Sequence, residues 1–208
     1  MPLQASWKGR KGSLLERLYI PNGGQIKFGD TPVERIHLDQ WRGAMGYMQQ
    51  NSPLLSGTIC DNIVYGLARE AKDEEIVAAA KKARAYDFIM KLPDGFNTDI
   101  GQLGGKLSGG ECQRIAIARM IIKGPDYLLL DEATSALDAE NETEVQAALS
   151  GMMEGRTAVV VAHNLRTVVN ADQIIVMDQG RIQATGPHKS LYGTNALYTK
   201  YFDLQFAQ

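Results

Sequence analysis

The side chains best placed for chemistry are a serine ahead of two glycines, two adjacent acids, a histidine and a glutamine, each at the edge of an apolar run. In Leu107-Ser108-Gly109-Gly110-Glu111, Ser108 and Glu111 stand three apart, the spacing of a capping box at a helix start. The same residues also read as an anion site. Two glycines let a phosphate approach the N–H groups of a first helical turn, where the helix dipole favours negative charge, and Ser108 adds a hydroxyl donor. Tyr127-Leu-Leu-Leu-Asp131-Glu132 is an apolar run that ends in two carboxylates. One reading is solvated charge at a strand end. In the other, ligands bind at the C-terminal ends of the strands of an open α/β sheet, where Asp131 could hold Mg²⁺ through water and Glu132 could orient or deprotonate an attacking water. His163 follows the next apolar run and reaches the same edge if the two strands are parallel neighbours, as a structural histidine or as a γ-phosphate contact. Gln50 follows a strand over Met45 to Gln49, and its amide could reach a metal or its water; alone it indicates nothing.

Positioning these groups requires a sheet whose strands end together. Lys27 to Gly29 and Ala44 to Gln49 read as short strands, and Ile59 to Tyr65 and Asp73 to Ala85 as helices, the latter with Ile76, Val77, Ala80 and Ala83 at helical spacing. From Glu111 to Ile122 nearly every face is apolar, which predicts a deeply placed helix stopped by Gly124 and Pro125. Tyr127 to Leu130 and Thr157 to Ala162 are uninterrupted apolar strands flanking a helix with Val145, Ala148, Leu149 and Met152 on one side. That order predicts a parallel sheet covered on both faces. Gln173 to Met177 reads as a third such strand, Asp178-Gln179-Gly180-Arg181 as a hairpin turn into Ile182 to Thr185, and Ala196 to Phe206 as a closing helix. The expected organisation is one α/β domain over residues 1–208, with its core in about 14–51 and 126–208 and a mainly helical insertion over about 52–125.

Composition narrows the function classes. The 208 residues include 22 Lys and Arg against 24 Asp and Glu, a net charge of −2, so no basic field attracts a phosphodiester backbone and nucleic acid is not an expected partner. A hydrophobic fraction of 44% with 22% charged residues is that of a globular domain. No uncharged apolar stretch approaches the roughly 18 to 20 residues that span a bilayer. Lys8, Arg10 and Lys11 are not followed by the apolar run of a secretory signal, so the chain is expected to be neither inserted nor exported. Cys60 and Cys112 stand far apart with no paired Cys or His, which points to a reducing compartment rather than to zinc or a disulfide.

The ordered set Tyr47-Met-Gln-Gln50, Ser56-Gly-Thr-Ile59, Leu107-Ser-Gly-Gly-Glu111, Leu130-Asp-Glu132, Ser135-Ala-Leu-Asp138 and His163 closely resembles the nucleotide-binding domain of ABC exporters, from about Leu14 to the C-terminus. The resemblance implies a P-loop NTPase-like core, parallel or mixed, with an inserted helical subdomain. It implies an ATPase that uses ATP and Mg²⁺ at a dimer interface to drive transport, in an exporter of the multidrug or lipid type. Its partners would be the transmembrane domain and a second nucleotide-binding domain, the same or different, at the cytoplasmic face of the membrane. Carried over by position, Gln50 would sense nucleotide and the transmembrane partner and join Asp131, the magnesium-side acid, at the metal. Glu132 would be the general base and His163 the switch histidine. Ser108, Gly109 and Gly110, with Glu111, would be the signature that contacts ATP held mainly by the opposite protomer, and Asp138 the acid of the dimer-contact loop. Ser52 to Gly66 resembles the part that docks the membrane domain, and Thr98 to Gly104 the cross-talk loop, with Gln102 where many members carry Glu.

Two departures accompany the resemblance. The family's phosphate loop, GxxxxGK followed by Ser or Thr, does not stand ahead of Leu14; Lys8-Gly9-Arg10-Lys11-Gly12-Ser13 does, joined to what looks like the end of the helix that normally follows. Lys11 and Ser13 are the residues that could stand in for the missing lysine and hydroxyl. The expectation is an N-terminally truncated domain with impaired autonomous ATP binding and open sheet edges; in the alternative reading the chain only supplies its signature to a partner. The second departure is Glu111 where Gln is usual, which adds negative charge near a partner's phosphates. Beside it, Cys112 is expected to be a somewhat acidified thiol if exposed.

Overall fold

The computed structural model describes residues 10–49, 53–131, 139–162, 165 and 168–206. Helix α1 (Arg10–Leu15) leads into the short antiparallel pair β1 (Lys27–Phe28) and β2 (Thr31–Pro32), then α2 (Leu38–Ala44) and β3 (Met45–Met48). Next come α3 (Ile59–Val64), α4 (Asp73–Lys82), α5 (Tyr86–Ile89) and α6 (Gly109–Lys123). The chain returns as β4 (Tyr127–Asp131), α7 (Ala139–Met153) and β5 (Thr157–Val161), and continues through β6 (Ile174–Asp178), β7 (Arg181–Gly186), α8 (His188–Leu191) and α9 (Ala196–Phe206).

Strands β3, β4 and β5 form a parallel sheet in that order. The central strand is covered on both faces: Leu128, Leu129 and Leu130 are each at most 2% exposed, which is why its sequence does not alternate. Leu128 and Leu130 share one buried cluster with Met48, with α3, α4 and α6, and with Val145, Ala148, Leu149 and Met152 of α7. Leu129, on the other face, joins Val33, Trp41 and Met45. The all-round apolar character of α6 is explained by this position, since Ile115, Ala116, Ile117 and Ala118 are all buried. Gly124 ends α6 in the left-handed region, φ 62° and ψ 47°, with its N–H on the Met120 carbonyl. Gly46 sets the spacing of β3 and α6, because a Cβ there would lie 2.6 Å from Met120 Cε and 2.7 Å from Pro125 Cγ.

One short helix that the periodicity does not reveal, α2, anchors this frame. In α2, the Trp41 indole donates to the Leu15 carbonyl at 2.7 Å; from the other side, Arg17 donates to the Ile36 carbonyl at 2.7 Å. The first caps the last carbonyl of α1 and the second ties the residues after α1 to the start of α2. The predicted hairpin forms: Asp178 pairs with Arg181 across Gln179 (φ 45°) and Gly180 (φ 75°), two positive φ values that match the twist of the flanking strands.

One expectation is corrected. Strand β6 pairs with β7 and, among the described residues, does not join the parallel sheet. Among the described residues strand β5 accordingly has a ladder on one side only, and its Val159 and Val160 are 48% and 37% exposed. An apolar run states that a strand is suited to burial; the pairing partner is decided by the rest of the fold.

Candidate functional site

The parallel register brings three strand ends to one edge. Met48 lies opposite Leu130, and Asp131 opposite Val161. Gln49, Asp131 and Ala162 therefore leave the sheet on the same side, the carboxyl-terminal edge where open α/β sheets place ligands. They directly precede Gln50, Glu132 and His163 in the chain; those three residues, and Asp138, lie outside the described residues. The condition set on His163, that its strand be the parallel neighbour of the one carrying Asp131, is met by β4 and β5.

Asp131 is partly buried at this edge, with the Tyr47 hydroxyl 3.5 Å from its Oδ2, a long contact. Burial, and then the charge of Asp131, push the Tyr47 phenol up from its ordinary value and keep it protonated. Helix α1 reaches the same place: a Cβ on Gly12 would lie 3.0 Å from the Tyr47 hydroxyl. The carboxylate of Asp131 is a hard oxygen donor of the kind Mg²⁺ takes, one or two carboxylates with water and phosphate oxygens completing the shell. Among the described residues no group of three or more His, Cys, Asp and Glu gathers as an all-protein metal cage.

The tip of α6 is the second part of the site. Ser108 is exposed and N-caps the helix: its Oγ accepts the Glu111 N–H at 3.3 Å, while its own N–H and hydroxyl each donate to Glu111 Oε2 at 2.8 Å. The capping box is thus formed, and Ser108 faces solvent with Gly109 beside it. Glu111 has a definite task as the carboxylate half of that box. The expected acidified thiol is not found. Cys112 is partly buried, and burial followed by the neighbouring Glu111 charge raises its pKa.

The loop ahead of the tip is tightly wound. Gly101, Leu103 and Gly104 all have positive φ, and Leu103 is held there while 72% exposed. A Cβ on Gly104 would fall 2.9 Å from Cys112 Sγ and 3.4 Å from Leu54 Cδ1. Leu54 and Gly104 are therefore neighbours. Sequence reasoning passed over Asn62 and Arg119, which join α3 to α6; the signal was an amide placed directly before the apolar pair Ile63-Val64 in Ile-Cys-Asp-Asn-Ile-Val.

Comparison with known proteins identifies this arrangement. A family model described as ABC transporter matches residues 12–135. The chain belongs to the ABC transporter family. It is 44% identical over 193 residues to a multidrug resistance ABC transporter ATP-binding and permease protein of Lactococcus lactis subsp. cremoris, covering 93% of this chain and 33% of that protein. It is 45% identical over 194 residues to an ATP-dependent lipid A-core flippase of Methylobacillus flagellatus, covering 93% and 33% respectively. Among solved structures, a bacterial Atm1-family ABC exporter with ATP bound superposes with a TM-score of 0.89 at 40% identity, over 97% of this chain and 35% of that one. The α/β arrangement is thus the ABC fold, and the chain spans about a third of the length of the relatives it matches. Among the described residues no helix is long and apolar enough to cross a membrane.

Proposed function

We propose that this chain is the ATP-binding and ATP-hydrolysing module of an ABC exporter, acting at the cytoplasmic face of the membrane with a permease domain and a second nucleotide-binding domain. The observation that carries the reading is the shared edge at which Gln49, Asp131 and Ala162 end, in a chain of this family. The Lactococcus lactis relative is an ATP-binding and permease protein, and the structural neighbour is an exporter with ATP bound. Both support an ATP-driven role with a transmembrane partner.

In this reading Asp131 and Gln50 hold Mg²⁺, which when bound supplies positive charge to the triphosphate oxygens. Glu132 accepts the proton of the attacking water on its carboxylate, and His163 contacts the γ-phosphate. The tip Ser108 to Gly110, exposed at Ser108 and Gly109 and braced by Glu111, meets nucleotide held mainly by the second domain, and Asp138 contacts that domain. First-turn N–H groups lack intrahelical acceptors and favour an anion, so the tip has the electrostatics this role requires. Helices α3 to α6, within 52–125, form the helical subdomain. Exposed Leu55, Tyr65 and Leu103, at 41%, 57% and 72%, form the apolar surface that receives the membrane partner.

The test is nucleotide binding and single-turnover hydrolysis by the purified chain, alone and mixed with an intact nucleotide-binding domain. Glu132→Gln is expected to keep ATP binding while turnover falls by about 10²-fold or more, the usual worth of a positioned general base. Absence of ATP binding in both settings overturns the proposal.

A further inference from the structure

The guanidinium of Arg119, well along α6 from its Ser108 tip, is half-buried. Its Nε donates to the Asn62 carbonyl at 2.7 Å, its Nη2 to Asn62 Oδ1 at 2.9 Å, and its Nη1 approaches the Pro53 carbonyl at 3.5 Å. The group also lies 5.5 Å from the centre of the Tyr65 ring. Asn62 is 1% exposed and is fully engaged. Its Oδ1 accepts the Leu55 N–H at 2.8 Å, and its amide donates to the Leu55 and Thr58 carbonyls at 2.9 and 3.0 Å. One side chain of α3 thus holds the backbone of residues 55–58, and one side chain of α6 holds α3.

A second strut runs parallel to this one. Ile59 N–H donates to the Thr98 carbonyl at 3.1 Å and Ile100 N–H to the Gly57 carbonyl at 3.0 Å. Residues 98–100 lead through the wound loop directly to the Ser108 cap, closed by Lys106 N–H on the Ile100 carbonyl at 3.3 Å. Apolar packing alone between α3 and α6 would not need a cation. Burial lowers the pKa of Arg119, so desolvation opposes its charge, and a methionine of similar length would fill the space without that cost. What the guanidinium adds is a planar fork that reads two oxygens of one residue in a single orientation.

We infer that Arg119 is a positioning residue that, through Asn62, makes the surface over 53–66 and the Ser108 tip one rigid body, so that displacing that surface carries the tip with it. The significance of that movement rests on the exporter reading above; the joint itself does not. Helix α6 is the lever: Arg119 sits eleven residues beyond Ser108, about 16 Å along the axis at about 1.5 Å per residue.

Amide hydrogen exchange on the full chain without nucleotide tests the joint. In Arg119→Met the apolar stem remains and the fork is lost. Exchange at Leu55 and at the first amides of α3 is expected to rise by about tenfold or more, while the amides over 112–117 of α6 keep their rates, a local opening rather than a global one. Arg119→Lys, which keeps the cation but only one donor centre, is expected to recover part of the protection. Asn62→Ala is expected to loosen the same amides. Unchanged exchange at Leu55, or equal acceleration at Leu55 and over 112–117, overturns the inference, the second outcome assigning Arg119 to global stability alone. No ATP enters this measurement, so its failure is distinct from failure of the turnover test.

Discussion

At the tip of α6 the hydroxyl of Ser108 serves the helix and faces the solvent at once, because the bonds it makes are all to Glu111, three residues on. Removing it separates the two tasks. Ser108→Ala is expected to cost about 1 kcal/mol of stability through loss of the cap, read as a lower thermal midpoint. Glu111→Gln keeps a side chain able to close the box and removes one negative charge from the surface offered to a triphosphate. Its expected result is an unchanged melting midpoint with a lower KM for ATP in the mixed-domain assay; a raised KM would show that the Glu111 charge helps rather than opposes nucleotide.

Helices α3 and α4 and the loop behind the tip start on carboxylates whose charged form the fold favours. Arg69 forks onto Glu75 at 2.8 and 2.6 Å while the Lys72 N–H donates to it, and the Glu75 pKa falls to about 2. Hydrogen bonds from Thr58 lower Asp61, and those from Lys106 and the Gly101 N–H lower Asp99. Each folded pKa lies below its unfolded value, so the stability they contribute is present above the ordinary carboxylate range and is lost as pH falls toward the folded values. The helical signal is therefore expected to decline from about pH 4.5 toward pH 2 in an acid titration followed by circular dichroism, and Arg69→Met is expected to move the onset to higher pH. An onset identical in the two proteins would remove Glu75 from the account. All these groups are exposed and screened by salt, so the effect shrinks as ionic strength rises.

Across the whole molecule the parallel sheet and the β6–β7 hairpin are built on separate buried clusters, one around Leu128 and Leu130 and one around Ile174, Val176, Leu191 and Tyr198. Among the described residues strand β5 carries a ladder on one side, with Val159 and Val160 exposed, and β6 exposes Ile175 at 55%. Apolar strand edges of this kind pair with other chains. Val159→Lys is expected to slow concentration-dependent light scattering several-fold while leaving the far-UV circular dichroism unchanged. Equal scattering by the two proteins would place the self-association elsewhere.

The amino-acid order alone determined the strands around Leu128 to Leu130 and Val159 to Val161, the helix that starts at Ser108 and stops at Gly124, the Gln179-Gly180 turn and the family itself. Each of these depends on contacts within a few residues or on an unbroken apolar run, and such signals survive without a partner. Helices α2 and α5, the separation of β6 from the parallel sheet, the partly buried thiol of Cys112 and the Arg119–Asn62 joint were decided by the tertiary structure. Their energetics come from groups far apart in the chain, 57 residues in the case of Arg119 and Asn62, and no local pattern encodes which distant carbonyl a buried donor will find.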